Sequence, residues 1–449
     1  MIIMENSLYV HIFRPFRKFI RREEFGGVLL LVVTLIALAW ANSPWYDSYD
    51  KLRQMEVALS IGSVVFSYPI LQWINDGLMA IFFFVIGLEI KREFLAGALS
   101  SLRQASLPIA AAVGGMIVPA VIYTLFNYGT AGSRGWGIPI ATDIAFALAA
   151  LSLFGTRIPF SLKVFLTAVA VVDDIGAVAV IAFCYTTEIA WSGLLSGTVF
   201  FLMLIAFNHM GAKNITLFAI LGIGLWVSLL DSGIHATIAG ILTAFTIPVK
   251  NKFSTRYFLM HNKRFMNELS RLDSLRDDPL SDRRRHSILS EIETICKNVE
   301  SPLISIVQKF HPWVTYLIVP LFALANAGIH LDAGPCVIAG HPVSIGIMCG
   351  LFFGKQAGIF LGAWLLIKLG WSSLPYGASW RQLYGVSWLG GIGFTMSLLI
   401  TNLSFTEASN LYFSKAGILT ASLSAAIMGW IILWISTPGE TVPLIRERE

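Results

Sequence analysis

Residues Ala168–Ala182 read AVAVVDDIGAVAVIA, and apart from Asp173 and Asp174 every position is apolar or glycine. Such a run has the composition of a helix that crosses a bilayer. A carboxylate at the centre of a membrane helix costs about 2.5–3.5 kcal/mol on insertion scales, and two adjacent ones oppose each other's ionisation. Other residues must offset that cost, and the remainder of the chain can be read for what they are.

Composition places the whole chain in the same class. Of 449 residues, 56% are hydrophobic and only 13% charged, with 31 Phe and 13 Trp. Soluble domains carry about 25% charged residues. The charges fall in short clusters between long apolar runs, so the chain reads as an all-α polytopic membrane protein. The net charge of +5 reflects loop bias, with no sign of a nucleic-acid surface. The basic stretch RPFRKFIRREE precedes the first apolar run and no small-residue cleavage site follows it, so no cleavable leader is expected. Cys184, Cys296, Cys336 and Cys349 show neither CxxC spacing nor a disulfide pattern.

About twelve segments are long and apolar enough to span as helices. They lie near 26–43, 71–92, 105–127, 137–154, 162–184, 190–208, 214–231, 234–248, 312–329, 341–368, 382–404 and 412–436. The organisation expected is a basic N-terminus over 1–25, spans 1–8 over 26–248, a long loop over 249–310, spans 9–12 over 311–437 and a tail over 438–449. Alternation in VALSIGSVVFSYPI predicts a hairpin near 55–70. In the long loop, Ile288, Leu289, Ile292 and Ile295 recur at helical spacing and predict an amphipathic helix. Lys and Arg cluster in alternate loops, with Lys51, Arg53, Arg134 and Lys415 as exceptions, which puts both termini in the cytoplasm.

Few ionisable residues fall within the spans. They are Asp143, Asp173, Asp174, His235 and Lys355, with Asp76, Glu89 and Glu93 near the ends of the second. Each is a functional-site candidate by its location. Asp143 follows Gly135, Gly137 and Pro139 in GWGIPIATDIAFALAALSLFG, and the missing Pro donor and weak Gly positions predict an unwound backbone near 140–143. Gly390, Gly391 and Gly393 interrupt a second span just before Thr395. Two crossed, interrupted helices would put dipole N-ends on one side and C-ends on the other. Asp143 suits the N-ends. Lys355, in LFFGKQAGIF, suits the C-ends.

Consecutive helix positions point about 100° apart, so Asp173 and Asp174 cannot share one environment. One can face a water-filled cavity while the other meets a cation such as Lys355. Burial favours the neutral acid and a nearby ammonium favours the carboxylate, so the two influences oppose each other. A carboxylate among Thr hydroxyls and backbone carbonyls is a hard-oxygen site for a small cation. Protonation releases that cation, and alternate opening to the two sides turns the competition into exchange.

These residues sit in stretches that resemble the NhaA-type bacterial sodium/proton antiporters. The matching stretches are WINDGLMAIFFFVIGLEIKRE, SLRQASLPIAAAVGGMIVPA, ATDIAFALAALSLFG, VVDDIGAVAVIA, SGIHATIAG, HPWVTYLIVPLFALANAG, FFGKQAGI and GGIGFTMSLLI, in that order from about residue 25 to the last span. The resemblance implies inverted-topology repeats and exchange of Na⁺ or Li⁺ for H⁺, driven by the proton gradient across the bacterial inner membrane. It implies Asp174 as the principal cation ligand, and Asp173 as proton carrier and partner of Lys355. It puts Asp143 and Thr142 on one crossing segment and Thr395 on the other, and links Glu89, Glu93 and His235 to pH response. It also implies two protons per sodium, and a homodimer joined through the hairpin near 57–70.

Two departures stand out. The cytoplasmic loop is longer than is usual in the family, and Val307 and Gln308 follow SPLISI before HPWV, where the family commonly carries a Leu-Glu-His. Loss of that acid predicts altered pH dependence with exchange retained. Other classes fit less well. An aspartyl protease needs its acids on separate helices around one water, a passive channel needs no buried Lys–Asp pair, and no Walker A loop points to ATP. A sodium-coupled symporter of a small organic anion shares the crossed helices and is the alternative.

Overall fold

The computed structural model describes residues 23–61, 64–185, 190–212, 214–249, 265–270, 283–292, 301–330 and 334–437. Helix α1 (Glu23–Ala41) leads to the surface helix α2 (Tyr46–Gln54). Strands β1 (Glu56–Ile61) and β2 (Val64–Pro69) then pair antiparallel, from Glu56 opposite Pro69 to Ile61 opposite Val64. Helix α3 (Ile70–Leu95) contains a π-helical stretch, Trp73–Leu78. It is followed by α4 (Leu102–Asn127), a 3₁₀ helix Ala131–Ile140, α5 (Ile144–Ser152) and α6 (Phe160–Cys184). Next come α7 (Trp191–His209), α8 (Ile215–Ser232) and the short α9 (Thr237–Thr246). Gly233, at φ +77°, adopts the left-handed conformation that ends α8.

After the long loop, α10 (Pro302–Trp313) runs through a π-helical turn, Val314–Ile318, into α11 (Val319–Asn326). Helix α12 (Pro342–Lys368) has its own π-helical stretch, Gly350–Lys355. Helices α13 (Trp380–Leu389), α14 (Phe394–Ser404) and α15 (Ala408–Ser436) complete the chain. Among the described residues seven helices are long and apolar enough to cross a bilayer, or up to ten when each bent pair counts as one span. Two further expected spans correspond to the ten-residue α9 and the combined α10–α11.

The lipid-facing surface is apolar, with Leu35, Leu195 and Ile220 more than half exposed. Trp45, Trp191 and Trp371, all more than 70% exposed, sit at or beside helix ends, where amphipathic rings suit the headgroup level. In the long loop a helix covers 283–292, where Ile288 is buried and Leu289 is 47% exposed. Ile295 lies outside the described residues.

Two groups of three spans build the interior. The first is α4, the 3₁₀–α5 pair and α6; the second is α12, the α13–α14 pair and α15. Each has a broken span in the middle, and their first helices pack antiparallel, with Gly362 of α12 against Ala110 of α4 and Gly354 against Pro119. The breaks bend the chain by 41° at residues 141–143 and by 43° at residues 390–393. Outer helices of the two groups meet along glycines, since a Cβ on Gly114 or on Gly358 would overlap the other's carbonyl oxygen. Gly358→Ala should therefore force α4 from α12 and lose most folded protein, read as the monodisperse fraction in detergent. A second hydrophobic cluster unites α3 with α7–α10 through Leu88, Leu204, Phe218, Leu225, Ala239 and Ile306.

One sequence reading is corrected. By sequence position Lys415 counts with the loop residues. Helix α15 in fact begins four residues before the expected limit of 412, so Lys415 lies two turns inside it and is only 7% exposed.

Candidate functional site

The two broken spans cross at their breaks. The backbone N–H of Asp143 donates to the Ile392 carbonyl at 2.6 Å, and the Ser397 hydroxyl donates to the Ile138 carbonyl at 2.8 Å. Each break exposes backbone groups that a continuous helix would pair internally, and the other break supplies partners for them.

Asp143 stands at two helix beginnings. Its Oδ1 accepts the Phe146 N–H, capping α5, and its Oδ2 accepts the Thr395 N–H at 3.1 Å near the start of α14. The Thr395 hydroxyl donates to the same oxygen. An anion at converging N-ends opposes both dipoles.

Lys355 stands at the other pole. It is fully buried, and its ammonium donates to the Ile140 carbonyl, at the C-end of the 3₁₀ helix, and to Asp173 Oδ2 at 2.6 Å. The Thr142 hydroxyl lies 2.8 Å from both that oxygen and the Gly390 carbonyl, and its single proton serves one at a time. The π-helical stretch ending at Lys355 sets the rotation that delivers its side chain here.

Asp173 and Asp174 are both buried on α6, at 0% and 1% exposure. They differ in their partners. Asp173 Oδ2 has Lys355 and Thr142, whereas its Oδ1 and Asp174 Oδ1 are buried with no hydrogen-bond donor among the described residues. Asp174 lies within the fields of Asp173, Asp143, Glu89 and Lys355. Each of the two adjacent acids thus keeps one buried, unpaired carboxylate oxygen, and the Thr142 hydroxyl lies beside Asp173.

The remaining candidates are dispersed. Glu89 pairs with His311 Nδ1 at 3.4 Å, near the other end of α3 from the hairpin. Glu93 is held by its own turn, with Oε2 accepting the Ala98 N–H and Oε1 meeting Arg92. His235 Nε2 lies 3.0 Å from the Tyr185 carbonyl. Sequence reading missed His311 as a partner of Glu89, and the carbonyls of Ile140, Gly390 and Ile392 as components of the crossing. The basic His beside the apolar start of a span was a signal for the first. For carbonyls no side-chain pattern exists to read.

Residues 17–433 match the family model described as Na⁺/H⁺ antiporter 1. The chain is 44% identical over 427 residues to the Na⁺/H⁺ antiporter NhaA of Oleidesulfovibrio alaskensis, covering 95% of this chain and 94% of that one. It is 46% identical over 420 residues to the Na⁺/H⁺ antiporter NhaA of Koribacter versatilis, covering 94% and 91%. With a match of this extent around two crossed, charge-compensated broken helices, the chain belongs to the Na⁺/H⁺ antiporter 1 family.

Proposed function

We propose that the protein exchanges Na⁺ or Li⁺ for H⁺ by competition at Asp174 and Asp173. Unpaired buried carboxylate oxygens beside a lysine-bound one carry this reading. A cation is held while Asp174 is ionised and leaves when a proton takes its place. Asp173 exchanges its lysine partner for a proton or a cation oxygen contact during the cycle. Asp143 and Thr395 hold the crossing together, and Lys355 neutralises the C-ends, so the core can move as one body. The protein works as a multi-pass inner-membrane antiporter with both termini cytoplasmic, and assembles as a homodimer.

Sodium-triggered dequenching of a pH-sensitive dye in everted vesicles tests the exchange. Sodium and lithium should each release protons in proportion to added cation. Silence in a well-expressed protein from mildly acidic to alkaline pH would leave the organic-anion symporter as the better reading.

The pH response should depart from that of relatives that carry the Leu-Glu-His acid before HPWV. Gln308 is exposed one helical turn from His311, which pairs with Glu89. A carboxylate there favours the charged imidazole. Gln308→Glu should move the acid limb of the transport curve to higher pH, by on the order of half a unit or less for an exposed pair. Maximal exchange should be unchanged, and coincident curves would remove position 308 from pH control.

A further inference from the structure

Three asparagines form a hydrogen-bonded ladder on the hairpin side of the crossing. Asn402 Nδ2 donates to Asn326 Oδ1 at 2.7 Å, and Asn326 Nδ2 donates to Asn75 Oδ1 at 2.8 Å. The rungs come from three elements: Asn75 from the π-helical stretch of α3, Asn326 from the last position of α11, and Asn402 from the far end of α14. Asn326 is 1% exposed, and its Nδ2 also donates to the Phe322 carbonyl at 3.0 Å. That second bond gives the ladder a direction, because a flipped Asn326 amide would set two carbonyl oxygens together.

Position settles what the ladder does. Asn402 follows Thr395 by seven residues, which is two helical turns and about 10.5 Å along the same face of α14. Leu399 lies on that face between them and is 1% exposed. The ladder therefore ties the half-helix α14 to α3 and α11 just beyond the site, toward the hairpin. At the opposite end of α3, Glu89 and His311 are 24% and 54% exposed, so the two ends of the passage are built differently. Exchange requires the site to open toward the hairpin side, and α14 cannot part from α11 and α3 while these bonds hold.

We propose that Asn75, Asn326 and Asn402 are positioning residues that latch the hairpin side closed, so that their bonds break and re-form in every cycle. This rests on the exchange reading, but its test reads opening and needs no transport. In a chain with the four cysteines replaced by serine, Leu399→Cys reports access to a membrane-impermeant thiol reagent. Labelling is timed in right-side-out and in everted vesicles without a sodium gradient.

Two isosteric changes then separate a directional latch from simple packing. Asn402→Asp removes the donor and faces Asn326 Oδ1 with a carboxylate. Asn75→Asp keeps the acceptor that Asn326 needs. A lost hydrogen bond of ordinary strength should speed labelling by about tenfold in Asn402→Asp, in right-side-out vesicles only, with Asn75→Asp within about twofold of the parent. Asn402→Ala breaks the same bond without a charge and should follow Asn402→Asp. Equal labelling in all variants, equal acceleration by both aspartates, or acceleration confined to everted vesicles would each overturn the latch. Absence of sodium-dependent exchange together with the expected labelling would reject the exchange reading and leave the latch standing.

Discussion

Asp174→Asn should abolish sodium-dependent proton movement while the protein still folds. The substitution preserves size and replaces a buried carboxylate that accepts no hydrogen bond among the described residues. Folding therefore loses no partner, and the thermal midpoint in detergent should hold or rise, because a neutral amide is less costly to bury than a carboxylate. Transport has no such reserve. The amide carries no charge to balance the cation and takes up no proton at physiological pH. Loss of a charged ligand in a buried site is worth several kcal/mol, so initial rates of dye dequenching should fall by at least about a hundredfold. Parental rates in Asp174→Asn would remove the centre of the mechanism.

Lys355→Ala should act on stability. It strands Asp173 at 0% exposure and takes a donor from the Ile140 carbonyl. Breaking a buried ion pair by removing one partner costs about 3–5 kcal/mol. The thermal midpoint should fall by several degrees or more. The decisive comparison is the double variant Lys355→Ala with Asp173→Asn, which leaves no charge stranded. It should recover much of the loss, with a coupling of about 2–3 kcal/mol between the two positions. Additive losses would mean that the 2.6 Å contact contributes little to folding.

Membrane embedding is legible because it depends on composition alone: a run such as Ala168–Ala182 has few places to be stable other than lipid or a protein-lined interior. The two breaks are legible because Pro139 and the glycines at 390, 391 and 393 weaken a helix locally, whatever surrounds it. Acids in apolar runs mark themselves by their cost. Spacing also implies that Asp173 and Asp174 face different neighbours, but helix geometry gives only the angle between them.

Which acid meets Lys355 depends on how α6 and α12 are rotated against α4, and that follows from glycine contacts and a π-helical stretch distributed over the whole chain. The same holds for Glu89, which meets His311 from 222 residues away while Glu93 closes its own turn. The burial of Lys415 follows from where α15 starts and what packs on it. The asparagine ladder has no local signature either, since its rungs stand at positions 75, 326 and 402. Sequence by itself determined that this chain lives in a membrane, where its helices break and which charges need partners. Apart from the Asp173–Lys355 pair, which the family resemblance implied, the tertiary structure decided the partners, because hydrogen bonds and ion pairs are set over a few ångströms between segments whose distance along the chain carries no record of them.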